Sequence, residues 1–496
     1  MSDQAGMHVG LPQTATSAFA GRVPRGLKST YAIGASAETI IGFAFNSFNF
    51  FFYVNILGVP GTLVGLAISI GLFFDAITDP LVGGWSDRTR SRLGRRHPFM
   101  FAAPLPLLVA LFLIYSPPAG LGHYGLFAWL LCLSLLMRGA MTLFHLPHLA
   151  LGAELSADFT ERTRVMSLNT LVGALGALVT FFVAYRYFFH ATPEFKNGLL
   201  NHSAYPVFAG VAGLIGCTVM LVSTFGTLRV IPRLTVNPKG QAGFNFTTFV
   251  EDCRSALRNR NYLVLLVGYL LLSATLGTRE TIALHMNTYY WELLPKQISL
   301  FAPFLVVAPF MGFLFAAPLH ERFGKKPVII GSLVGLLMFA AGPVLLRISG
   351  LFPANHTPWL LPMLIAFVTT SLSFGAILLI SVMSSLADIA DEQEITTGRR
   401  QEGIFYAARS FFAKASSGLG HLLAGMAIDL IHFPVGATPG TVPAATVFKL
   451  GLIDGPIAII PGGLAIIFYL RFNLTRSRHA EIQAELTARH ANSADD

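Results

Sequence analysis

Long apolar stretches alternate with short polar ones along almost the whole chain. Twelve of the apolar segments are long enough to cross a bilayer, at roughly 31–57, 61–85, 98–117, 123–150, 165–188, 205–228, 260–286, 298–319, 327–348, 357–388, 402–432 and 447–472, since a spanning helix needs about 20 mainly apolar residues. The pattern predicts an all-α membrane protein of twelve transmembrane helices, and an even number puts both termini on one side. The longest polar interruption divides the segments six and six. The predicted organisation is a tail over 1–30, a six-helix bundle over 31–228, a central loop over 229–259, a second six-helix bundle over 260–472 and a tail over 473–496.

Composition agrees with this reading and charge orients it. Hydrophobic residues make up 53% of the chain and charged residues 12%, with a mean hydropathy of +0.62, where a soluble domain carries about 25% charge. Of the 34 Lys and Arg residues, 25 fall in tails and loops on the side of the termini and 5 on the opposite side. The positive-inside rule then places both termini in the cytoplasm, and a bacterial inner membrane is the expected location. The net charge of +9 reflects topology and attraction to lipid headgroups. It is dispersed over short loops, without the clustered basic face that nucleic-acid binding requires. Cys132, Cys217 and Cys253 lie far apart and match no metal or redox spacing. The first 28 residues lack the apolar core of a signal peptide and read as a cytoplasmic tail.

Two carboxylates break the apolar rule. Asp75 and Asp79 sit four residues apart in the second segment, a spacing that places both on one helix face. A charge at mid-bilayer costs on the order of 2.5–3.5 kcal/mol by insertion scales. A bound cation or a proton is the cheapest compensation, and a structural partner such as an Arg is the alternative.

The two halves also share punctuation. Between the second and third segments stands Asp87-Arg88-Thr89-Arg90-Ser91-Arg92-Leu93-Gly94-Arg95-Arg96-His97-Pro98, and between the eighth and ninth stands Glu321-Arg322-Phe323-Gly324-Lys325-Lys326-Pro327. An acid, an Arg, then Gly, two basic residues and Pro recur at matched positions, as expected of two repeats around a midplane site. The plan resembles the major facilitator superfamily. The string Asp75-Ala76-x-x-Asp79-Pro80-x-x-Gly83, followed by Ser86-Asp87-Arg88-Thr89 and Ser91-Arg92-x-Gly94-Arg95-Arg96-x-Pro98-Phe99, is similar to the glycoside/pentoside/hexuronide cation symporters, the group of the melibiose permease. Pro147 with Ala150-Leu151-Gly152-Ala153-Glu154-Leu155, Ala387-Asp388-Ile389-Ala390-Asp391, and Glu402-Gly403 leading to Lys414 agree.

The resemblance implies roles for particular residues. The family's cation-binding aspartates match Asp75 and Asp79, its fourth-helix threonine matches Thr142, and its eleventh-helix lysine matches Lys414. Two positions depart. The first-helix aspartate that holds sugar hydroxyls falls at Thr39, with Glu38 beside it, and the fourth-helix aspartate shared by sugar and cation falls at His145. Losing an anionic ligand weakens a sodium site, while an imidazole titrating near pH 6.5 suits proton coupling. His145 and His148 have a plainer reading as helix histidines satisfied by backbone beside the Pro147 kink.

Further candidates follow from position. Asn46 and Asn49, spaced i, i+3 in the aromatic first segment, are expected to point inward. Arg279 and Glu280 read as an adjacent pair, and Arg279 is thereby expected to be neutralised locally. Gating material is expected from Asp87 with Arg88, Glu154 with Arg162 and Arg164, and Asp388 and Asp391 facing Arg399 and Arg400. No Gly-x-Ser-x-Gly or His-Glu-x-x-His motif is present, so an enzyme is not expected. The expectation is a cation-coupled symporter of a sugar or glycoside, without cofactor, its coupling ion H+ or Na+ and proton favoured, surrounded by lipid and monomeric. A lysolipid or other amphiphilic anion is the alternative cargo, because animal lysolipid carriers resemble the same group. A transporter-like receptor is the alternative from another class.

Overall fold

A computed structural model describes residues 18–19, 21–234, 254, 256–397, 402–473, 478 and 481–487. Among these, eleven helices are long and apolar enough to cross a membrane. They are α1 (Arg25–Ile56), α2 (Gly61–Arg88), α3 (His97–Ile114), α4 (His123–Glu154), α5 (Phe159–Phe188), α6 (Ala204–Arg233), α7 (Arg260–Tyr290), α8 (Pro295–Phe323), α9 (Lys325–Ile348), α10 (Leu360–Ile395) and α12 (Ala444–Leu470). Between the last two lies α11 (Glu402–Leu430), a 29-residue helix that carries Arg409, Lys414 and Asp429 and is correspondingly less apolar. The twelve helices match the twelve predicted segments. The largest revision is α10, which runs on past its apolar stretch through Asp388 and Asp391.

The order of packing follows the two repeats. In the first six helices α1 lies against α5 and α6, α3 against α4 and α6, and α2 against α4; in the last six α7 lies against α11 and α12, and α10 against α8 and α9. The aromatic run of α1 fills the first of these cores. Phe48 is fully buried, 4.6 Å from the Phe189 ring and 5.3 Å from Phe208, while Phe52 lies 4.8 Å from Tyr205. Large rings meeting edge-on and tilted in this way hold the helices together without a water-driven hydrophobic term. Phe48 and Phe52 are therefore packing material. The repeat extends to backbone detail, because α1 and α7 both finish in a π-helical turn, closed by Leu57 N–H to Phe52 O at 3.1 Å and Trp291 N–H to Met286 O at 2.9 Å.

The halves are joined at the end of the bundle remote from the tails. Here α2 packs along α11, and the backbones touch where glycines allow it: a Cβ on Gly425 would stand 2.1 Å from the Gly61 carbonyl oxygen. Asp429 of α11 accepts hydrogen bonds from the first N–H groups of α2, Gly61 at 2.6 Å and Thr62 at 2.7 Å. A carboxylate at a helix N-terminus meets donors that have no partner within their own helix, and the helix dipole favours it. Ser69 Oγ donates to Gly418 O, and Asn55 Nδ2 donates to the Tyr289 hydroxyl at 2.6 Å.

The tail end is built differently. Asp87 takes Arg96 as its partner at 2.5 Å, and Glu154 takes Arg95 and Arg96, each at 2.8 Å. Lys325 holds Asp388 at 2.5 Å, and Asp391 accepts from Gln483 at 2.7 Å. These contacts each close within one half. They revise the expected gating pairs: Arg162 donates to the Ser156 carbonyl, and Arg164 reaches Glu161. Arg399 and Arg400 lie outside the described residues, so the predicted Asp388 and Asp391 pairing with them is not visible.

Candidate functional site

Five helices bring charge to the middle of the bundle. Glu38, Asp75 and Asp79, Arg138 and His145, Glu280, and Lys414 stand near the midpoints of α1, α2, α4, α7 and α11 respectively. The i, i+4 spacing does put both aspartates of α2 toward other helices, and each finds a cation there. Asp75 Oδ2 accepts from Arg138 Nη1 of α4 at 2.6 Å, and both side chains are about nine-tenths buried. Asp79 Oδ2 meets Lys414 Nζ of α11 at 2.5 Å, and its Oδ1 accepts from Thr142 Oγ1 at 3.1 Å. The first pair lies within one half of the protein, and the second crosses from one half to the other.

Exposure separates the pairs. The side chains of Asp79 and Lys414 are 27% and 31% exposed, and those of Glu38 and His145, which meet at 2.7 Å, are 42% and 36% exposed. Ionisable groups at this depth cannot be left against hydrocarbon without large cost, so the space they face is aqueous. Among the described residues, the halves meet at the far end and through Asp79–Lys414, while the tail-end ion pairs named above each stay within one half. Ionisable groups at the midplane between two repeats are the usual build of a transporter site.

The remaining predicted residues divide sharply. Thr39 turns its hydroxyl to α5, donating to Gly173 O and to Ser36 O, each at 3.0 Å, and so leaves Glu38 as the member of that pair among the charged groups. His148 is buried, with Nε2 2.9 Å from the Tyr31 carbonyl oxygen and its ring stacked on Tyr31 and Phe144. It belongs to the packing, and His145 three residues earlier belongs to the site. Asn46 and Asn49 do not share a face: the α-helix stops at Asn46 and restarts at Asn49. Asn46 is exposed, while Asn49 is buried at the far-end seal with neither amide atom hydrogen-bonded. Arg279 is not paired with Glu280. It reaches across to α12 and α9, contacting Asp454 Oδ2 at 3.3 Å and the carbonyl oxygens of Asp454 on α12 and Ala340 on α9, which leaves Glu280 exposed.

Sequence reasoning missed Arg138. A signal was present by subtraction, because the loops account for all but four of the 34 basic residues, leaving Arg138, Arg279, Arg409 and Lys414 inside helices. An intramembrane Arg deserves the same question as an intramembrane Asp: which residue compensates it. Its neighbours answer in detail. The guanidinium lies over the Phe45 ring at 5.3 Å, and Gly71, one turn before Asp75, leaves the room it occupies. A Cβ there would stand 2.8 Å from Arg138 Nε and 3.0 Å from Cδ.

Comparison with known proteins places the chain in a family. A model of the MFS/sugar transport protein family matches residues 30–476. The chain is 25% identical to the sphingosine-1-phosphate transporter MFSD2B of Xenopus tropicalis, covering 92% of this chain and 90% of that one. It is 23% identical to the putative glycoside/cation symporter YagG of Escherichia coli (strain K12), with 94% and 95% covered. In fold it is similar to a crystal structure of a POT peptide transporter in complex with alafosfalin, with a TM-score of 0.64, 15% identity, and 92% and 97% of the two chains covered. The midplane charges, the two six-helix repeats and a family match over nearly the whole length agree, and the chain belongs to the MFS/sugar transport protein family of multi-pass membrane transporters rather than to any class of enzyme.

Proposed function

We propose that the protein is a proton-coupled symporter of a sugar or glycoside, working by alternating access with both termini in the cytoplasm. The observation that carries the reading is the Glu38–His145 pair: an imidazole 2.7 Å from a carboxylate, both half-exposed to the midplane space. Imidazole is the side chain whose ordinary pKa lies near neutrality, so one proton taken up from solution turns the anionic Glu38–His145 pair neutral overall and is held between imidazole and carboxylate. Beside it, Asp79 and Lys414 tie the two halves together. Cargo hydroxyls can accept from His145 and Lys414 and donate to Glu38 and Asp79, so loading proton and cargo together loosens contacts that hold this conformation. A ligand shifts such an equilibrium only through its different affinity for the two states, and Asp79–Lys414 supplies that difference.

The test is uptake into vesicles under imposed gradients. Uptake rises as the outside pH falls, and His145→Ala flattens that dependence while Glu38→Gln weakens it. Uptake that follows added sodium and ignores a pH step overturns the reading.

A second cargo class has its own support. Relatives named for sphingosine-1-phosphate and for lysophosphatidylcholine match over nine-tenths of this chain, and Lys414 could meet a phosphate. The partly exposed groups of the midplane space, Glu38, His145, Asp79 and Lys414, are all hydrogen-bonding and ionisable, which suits a polyhydroxylated cargo. The sugar reading is therefore placed first.

A further inference from the structure

We infer that Arg138 is a tethered cation that takes the place of a metal ion at Asp75, making this transporter unable to use sodium there. Asp75, Asp79 and Thr142 form an oxygen-donor set of the kind hard cations prefer, and the family resemblance assigns them to cation binding. In this chain the set is already engaged. Asp75 Oδ2 is held by Arg138 at 2.6 Å, Asp79 Oδ2 by Lys414, and Asp79 Oδ1 by the Thr142 hydroxyl. Asp75 Oδ1 is buried and has no hydrogen-bond partner, which leaves one unengaged carboxylate oxygen where a sodium ion needs several oxygen ligands.

The seat of the guanidinium is built, not incidental. Phe45 offers its ring face at 5.3 Å, a contact that favours a cation where water is excluded. Gly71 supplies the space along α2, and any side chain at 71 would drive into Nε and Cδ. Arg138 lies one helical turn before Thr142 on α4, and Gly71 one turn before Asp75 on α2, so the two helices place cation, cradle and carboxylates in a single layer. Arg carries its charge at every physiological pH, so the compensation is permanent. A metal that comes and goes would have to displace a charge anchored by the backbone of α4.

This inference deepens the proton-coupling reading and rests on it only for the choice of coupling ion. Its test uses binding alone, so either can fail without the other. Thermal unfolding of the purified full chain is followed in NaCl, KCl and choline chloride at equal ionic strength. Wild type shows no sodium-specific shift. Arg138→Gln, which empties the seat but keeps a polar group, acquires a saturable rise in unfolding temperature with NaCl that KCl does not reproduce, and adding Asp75→Asn removes it. Arg138→Lys, still cationic, acquires none. Gly71→Ala keeps every charge while crowding Nε, and it acquires a weaker sodium response than Arg138→Gln, which guards against a result due only to misfolding. A sodium-specific, Asp75-dependent shift in wild type overturns the inference, as does a monodisperse Arg138→Gln that ignores sodium.

Discussion

The two aspartates of α2 are one turn apart, yet they do different work. Asp75 is buried against Arg138 inside one half of the protein; Asp79 is partly exposed and bound to Lys414 of the other half. A pair within a half moves as a rigid unit when the halves rock, so it stabilises the bundle and takes no part in the motion. A pair between halves must break or re-form, so its energy belongs to the transport cycle. The lesson is that the same residue type on the same helix face acquires a structural or a dynamic role according to which helix answers it.

The largest effect that can break this comparison is on stability. Asp75→Asn leaves the Arg138 guanidinium buried without its counter-ion, and removing one partner of a buried pair costs about 3–5 kcal/mol. Denaturation in detergent should show that loss for Asp75→Asn, whereas Asp79→Asn, with its pair nearly a third exposed, should lose no more than about 1 kcal/mol. Equal losses at the two positions would erase the distinction between them.

The second effect is on transport. Lys414→Ala removes the link between the halves and should abolish concentrative uptake, with little change in unfolding temperature in the absence of cargo. Thermal-shift screening of wild type and Lys414→Ala against neutral glycosides and lysophospholipids sharpens the cargo assignment as well. Ligand at about 100 times its dissociation constant adds roughly 2.7 kcal/mol. Stabilisation of wild type by lysophospholipids alone, lost in Lys414→Ala, would move the cargo from sugar to amphiphile.

The smallest effect concerns the far-end seal. Asp429→Asn keeps the shape of the side chain that caps α2 across the halves but removes its charge, and a cap of this sort is worth about 1 kcal/mol. The expected result is a modest shift toward opening at that end, read as faster labelling of a cysteine placed at Thr62. Unchanged labelling would show that the glycine contacts between α2 and α11 hold the seal alone.

The sequence by itself determined the parts of this protein that depend on the bilayer as a solvent. Apolar length marks eleven of the spanning helices, the repeated Gly and basic punctuation marks two similar halves, and a carboxylate at the depth of Asp75 or Asp79 needs a partner whatever the fold. Within one helix, four-residue spacing is also reliable, so Asp75 and Asp79 do face other helices. It fails where the helix does, and the break after Asn46 sends Asn46 and Asn49 to different surroundings. Only the tertiary structure decided the partners: Arg138 for Asp75, Lys414 for Asp79, Glu38 for His145, Asp454 for Arg279, and Asp429 for the first turn of α2. Each of these joins different helices, and the relative register of two packed helices is set by small residues such as Gly71 and Gly425 that let them approach. Periodicity along one helix carries no record of its neighbour's register, which is why the charges were legible in the sequence and their pairing was not.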